Sequence, residues 1–171
     1  MIAIKRSFLD ELEPIIYWAS SFAIAVFLDT ELYHDECEKF RQRLNAEGVL
    51  SVVGDFVYDE AAFFLIRKFL EAEGKRTKQH WRDVKRTQPN FINTIMSTVK
   101  RVKDELNDTA LWIPSSENVK EKVFQLMQSY SILPTDAFHL AVALSHGVTA
   151  FATLDADFLK VDGITVYTCL P

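Results

Sequence analysis

Cysteine, glycine and proline are all scarce in this chain of 171 residues, which carries two, five and five of them. Two cysteines are too few for a disulfide-stapled scaffold. Cys37 and Cys169 also lack a metal-like spacing, so both read as reduced, structurally incidental thiols. The shortage of glycine and proline, together with the absence of repeats or low-complexity linkers, points to one compact domain. At 49% hydrophobic content it has enough apolar material for a sizeable core. No apolar run approaches the length needed to cross a bilayer, and the amino-terminal segment MIAIKRSFLDELEP turns acidic where a signal peptide is most apolar. A cytoplasmic protein with no membrane partner is therefore expected. Nor is there an excess of positive charge: the net charge of −5 argues against a general polyanion binder.

What is present is an alternation of short apolar strands and helical segments. Ile15 to Trp18 and Val49 to Val53 are rich in β-branched and aromatic residues and are bounded by Pro14, Gly48 and Gly54, which marks two buried strands. Between them Cys37, Phe40 and Leu44 recur at helical spacing up to Gly48. A helix is predicted over Asp55 to Glu73 with Gly74 as its stop, and a second over Phe91 to Leu106. The segment ALWIP reads as a strand, followed by a helix capped by Ser116. A small-residue helix capped by Thr135 then leads to a strand over Thr149 to Thr153 and a last strand over Ile164 to Tyr167. This order predicts a three-layer α/β/α domain over residues 1–171, with a central, mostly parallel sheet of about five strands. Residues 1–14 are expected to form an amino-terminal extension, and about 74–108 a helical insert or basic middle segment.

Ligands of such sheets bind beyond the carboxyl ends of the strands. Asp155 closes the Thr149 to Thr153 strand and Asp157 follows two residues later. Asp136 opens the helix that feeds that strand, and Glu60 lies about one and a half turns into the helix after the second strand. Singly, each acid reads as a turn residue, a helix-start acid or a solvent-facing side chain. Together they can converge on one edge, where crowding raises their pKa values and a divalent cation keeps them ionised. Oxygen ligands without a Cys or His cluster select Mg²⁺ or Mn²⁺.

The stretch TDAFHLAVALSHGVTAFATLDADF resembles the carboxyl-terminal signature of PIN-domain nucleases, and SVVGDFVYDEAAFFL is similar to that family's second-strand segment. The likeness runs from about Ile15 to Pro171 and points to the VapC-like toxin branch. It implies metal-dependent endonucleolytic cleavage of RNA, with Glu60, Asp136, Asp155 and Asp157 holding Mg²⁺ or Mn²⁺. Ser20, Ser21 and Thr153 would support them by hydrogen bonds. It further implies an antitoxin protein as partner and a homodimer. The family's first motif, an apolar strand followed by Asp and two small polar residues, aligns with IIYWASSFAIAVF and puts Ala19 at the aspartate. The rival register at Asp29 leaves no strand before it. The catalytic set is thus Ala19 in place of the missing Asp, with Glu60, Asp136 and Asp155. An enzyme disarmed by an Asp-to-Ala change at position 19 is favoured over natural loss because the other acids are intact. The alternative is a catalytically silent PIN-like module that binds RNA or a protein.

Six cations, Lys75, Arg76, Lys78, Arg82, Lys85 and Arg86, cluster around His80 and Trp81 with Asp83 as the sole acid between them. They read either as a solvated helix face or, beside a nuclease site, as an RNA-steering surface. His139, one turn after Asp136, reads as a packed or partner-bearing histidine rather than a general base. His34 and His80 carry no constellation. A phosphatase reading of LDADF lacks the nucleophilic Asp after the first strand.

Overall fold

The structure is a computed structural model that describes residues 2–171. Met1, within the 1–14 segment set apart above, lies outside them. Six parallel strands form one sheet in the order β1-β6-β5-β2-β3-β4. In chain order the elements are β1 (Ile4–Arg6), β2 (Ile15–Trp18), α1 (Ser20–Phe27), α2 (His34–Ala46), β3 (Leu50–Val53) and α3 (Asp55–Thr77). Then come α4 (Trp81–Thr87), α5 (Phe91–Thr109), β4 (Leu111–Trp112), α6 (Val119–Tyr130) and α7 (Pro134–Ser145). β5 (Ala150–Ala152), a 3-10 turn (Ala156–Lys160) and β6 (Thr165–Tyr167) complete the chain. Among the described residues no helix is long and apolar enough to cross a membrane.

The chain runs outward from β2 to β3 and β4, then returns across the sheet to add β5 and β6 on the other side of β2. This reversal opens a crevice beyond the carboxyl ends of β2 and β5, where parallel sheets place their ligands. The central strands are buried because both sheet faces are covered: Ile16, Tyr17, Trp18, Phe151 and Val166 are wholly enclosed. Phe22 of α1 packs edge-on against Trp18 and Phe40, and Phe8 stacks on Phe40 with ring centroids 4.2 Å apart. Each such buried ring stabilises the fold by about 1.5–3 kcal/mol.

The sheet has six strands rather than the five expected. β1 supplies the sixth, pairing Ile4 with Thr165 and Arg6 with Tyr167. Three residues with two cations among them carry no readable alternation, and an edge strand needs none because one side faces water. Three other local expectations also change. Gly74 does not stop α3, which continues to Thr77 and ends on a left-handed Lys78 (φ 56°). Gly74 is needed for close approach instead, since a Cβ there would lie 2.6 Å from the Gln79 carbonyl oxygen. Thr135 is not a cap: α7 begins at Pro134 with Leu133 at the cap position, which suits a residue lacking an N–H. Ser116 sits before the Asn118 cap of α6, in the turn where its carbonyl accepts from Val119 N–H. Cys37 and Cys169 are both free thiols, as expected, and burial pushes both pKa values up.

Candidate active site

β2 ends at Trp18, and its ladder extends one residue further through the Ala19 N–H bond to the Ala152 carbonyl (3.0 Å). Ala19 is then the cap residue of α1, with extended backbone (φ −75°, ψ 162°) and its carbonyl accepting from Ala23. It is 2% exposed and lies on the wall of a cavity of about 550 Å³ at the carboxyl edge of the sheet. Glu60 from α3, Asp136 from the first turn of α7 and Asp155 after β5 share that wall. Four positions from remote parts of the sequence thus meet in one crevice. Asp157 is not on its wall, and its carboxylate pairs with Lys160 at 2.6 Å.

Two polar chains fix Glu60 and the turn that carries Asp155. Ser21 Oγ lies 3.1 Å from Thr153 Oγ1 and accepts from Leu154 N–H, while Thr153 Oγ1 accepts from Asp155 N–H at 3.0 Å. Asp155 Oδ1 in turn accepts from Asp157 N–H at 2.8 Å, so the loop after β5 is tied to the first turn of α1. Ser20 faces the other way, donating to Glu60. His139 Nε2 lies 2.7 Å from Glu60 Oε2 and 2.9 Å from Ser20 Oγ, and Nδ1 lies 2.9 Å from the Tyr17 hydroxyl. With the proton on Nε2, the imidazole donates toward Glu60 while Nδ1 accepts from Tyr17, and every buried polar atom of the ring has a partner. His139 is 2% exposed, so it is the buried, partnered histidine expected of that helix. Burial drives the Tyr17 phenol well above its ordinary pKa, so it remains a donor.

The electrostatics separate the two inner carboxyls. Burial pushes the Glu60 pKa up, but the hydrogen bonds from His139 and Ser20 outweigh it and leave the group below its ordinary value. Asp136 has no such donors among the described residues. Burial first, then the negative field of Asp155 with smaller contributions from Glu60 and Asp157, raises it to about 6. By donor type Asp136, Asp155 and Glu60 suit a hard divalent cation, and the mutual repulsion that raises Asp136 is what such a cation relieves. Among the described residues, however, no group of three or more His, Cys, Asp or Glu side chains is drawn together closely enough to hold a metal ion. Position 19 offers no carboxylate, and Glu60 is engaged by Ser20 and His139.

The basic segment does not form a single face. Lys75 and Arg76 end α3, Lys78 forms the turn, and Arg82, Lys85 and Arg86 belong to α4. Arg76 is paired with Glu73 and Arg86 with Asp83, whereas Lys75, Lys78, Arg82 and Lys85 have no ion-pair partner among the described residues. Sequence reasoning missed the Tyr17 contact, Asp59, and the aromatic and cationic wall of Phe56, Phe63 and Arg67. Periodicity puts Phe63 and Arg67 on one helix face but does not tell that the face looks into the crevice.

The profile of the PIN domain family matches residues 19–164. No curated protein sequence matches the chain. Among solved structures, VapC20 of Mycobacterium tuberculosis, described as a sarcin-ricin loop cleaving toxin, is similar at 15% identity. The match covers 84% of this chain and 92% of that one with a TM-score of 0.52. A toxin-antitoxin complex from Klebsiella pneumoniae matches at 18% identity over 88% and 95%, TM-score 0.53. VapBC2 from Rickettsia felis, solved bound to a DNA fragment of its promoter, matches at 11% identity over 90% and 98%, TM-score 0.57. At these identities the likeness is one of fold.

Proposed function

Because the chain belongs to the PIN domain family, we propose that it is built as a divalent-metal-dependent endoribonuclease of the toxin type, its hydrolysis curtailed by alanine at position 19. The observation that carries this reading is the convergence of Ala19, Glu60, Asp136 and Asp155 on one cavity at the sheet's switch point. The toxin-antitoxin structures among its neighbours support a protein antitoxin as partner, with a homodimer and a cytoplasmic setting as further parts of the proposal.

Asp136, Asp155 and Glu60 would hold Mg²⁺ or Mn²⁺, with Asp157 adding negative field from just outside the cavity. Bound there, the cation supplies polarisation of the phosphodiester and an activated water. The chain's own residues orient the site. Ser20 and His139 fix the Glu60 carboxylate, and the Ser21–Thr153 pair fixes the turn that carries Asp155. A nucleophilic role for Ser20 is disfavoured because the carboxylate shares Nε2 with Ser20 instead of orienting the imidazole through Nδ1.

The test compares the chain with Ala19→Asp in cleavage of structured RNA with Mn²⁺. Cleavage by the substituted protein, and little by the chain as it stands, is the expected result. If neither cuts while RNA or partner affinity persists, the chain is instead a silent binding module, a reading favoured by the engagement of Glu60 within the protein.

A further inference from the structure

Beyond the carboxylates, the same face of α3 leads into a second cleft. Phe63 and Arg67 line the catalytic cavity, and Arg67 also lines a cleft completed by Lys75, Lys78, His80 and Trp81. Arg67 lies about two turns past Glu60, roughly 10 Å along the helix axis. The cleft owes its shape to Gly74: without a Cβ, α3 lets the Gln79 carbonyl close onto it, and the left-handed Lys78 turns the chain back. Trp81 is thereby returned over α3, edge-on to Phe63 with centroids 6.5 Å apart. The guanidinium of Arg82 lies 5.2 Å from the indole centroid and that of Arg67 6.0 Å. Phe63 is 55% exposed.

We propose that Trp81, with Arg67 and Arg82, is a stacking subsite for an unpaired base of single-stranded RNA lying along α3, while Lys75 and Lys78 contact the adjoining phosphates. This rests on the RNA reading above and adds to it a place for the strand. An indole flanked by guanidinium groups offers planar ring and guanidinium surfaces on which any base can stack, and the unpaired lysines supply the charge that an acidic catalytic crevice does not. Glu71 also lines the cleft, but its carboxylate is held by Arg67 at 2.7 Å. Arg76 and Arg86, committed to Glu73 and Asp83, are outside the subsite. An acidic protein segment would use the lysines equally well but would leave the aromatic face without a role.

The test is a titration of the full chain, in EDTA so that nothing is cut, with a short uridine-rich single strand and, separately, with inorganic polyphosphate, which has charge but no bases. RNA should quench the tryptophan fluorescence. Trp81→Leu, which retains apolar contact with Phe63, should abolish that quench and weaken RNA binding about 5- to 100-fold while leaving polyphosphate binding unchanged. Trp81→Tyr should restore most of the affinity, and Lys78→Ala should weaken both ligands. Arg67→Gln provides a second variant should Trp81→Leu fail to give a native thermal transition, and it too should weaken RNA more than polyphosphate. RNA binding indifferent to Trp81, loss of RNA and polyphosphate in equal measure, or an equal quench by polyglutamate would each overturn the subsite. Hydrolysis is judged separately: an Ala19→Asp chain that binds RNA through Trp81 yet never cuts it upholds the subsite and refutes the nuclease reading.

Discussion

The crevice between β2 and β5 and the turn between α3 and α4 manage charge in opposite ways. At the crevice, acids are gathered with no lysine or arginine paired to Glu60, Asp136 or Asp155 among the described residues, and half-buried hydrogen bonds from Ser20 and His139 to Glu60 and from Leu154 N–H to Ser21 hold the frame. At the turn, cations are gathered in the open, and several are matched by acids three or four residues away on the same helix. Buried polar groups are costly to disturb because an orphaned partner cannot turn to water, whereas exposed pairs are replaced by water at little cost. Stability should therefore depend on the crevice, and affinity for a polyanion on the turn.

The largest effect should come from supplying the absent acid. Ala19→Asp should raise Mn²⁺-dependent RNA cleavage on the order of 100-fold or more. Without metal it should lower stability by about 1–2 kcal/mol, because a further negative charge joins Asp136 and Asp155. Added Mn²⁺ should recover the melting temperature, a readout independent of cleavage. Next, His139→Ala strands the Tyr17 hydroxyl and one contact of Glu60, and should cost about 2–4 kcal/mol in urea unfolding. An equal melt for His139→Ala and the parent would erase the contrast between the regions.

Asp136→Asn should act in the opposite sense. With its folded pKa near 6, above that of an unfolded carboxylate, the charged form is disfavoured by folding. Removing it should stabilise the protein at neutral pH by about 1–2 kcal/mol, a figure discounted for the partial exposure of the group. Since the folded parent takes up the proton first, the difference should shrink as pH falls from 6 toward 4; a gain that grows with acidity would contradict the assigned direction. The smallest effect belongs to the turn. Arg86→Ala should change stability by less than about 0.5 kcal/mol, because the pair it breaks with Asp83 is exposed.

Much of this division was readable before any coordinates. The strands after Pro14 and Gly48 announced themselves by β-branched and aromatic runs, and strand-helix alternation carried the parallel sheet. Asp136 and Asp155 were visible because position along the chain fixes which end of a strand or helix a residue occupies. β1 was not visible: three edge residues bury too little to impose a pattern. Gly74 misled because a glycine in a helix is usually its end, and only the approach of Gln79 shows that it is there for contact.

The periodicities, the acids at strand ends and the lack of a carboxylate at position 19 are all local properties of the chain, legible without its fold. It took the folded chain to show that Tyr17, Ser20, Glu60 and His139 share one network and that Trp81 lies against Phe63 and Arg67. Those pairings depend on how helices cross and which faces meet. Such geometry is set by packing the whole core at once, and no short stretch of sequence encodes it.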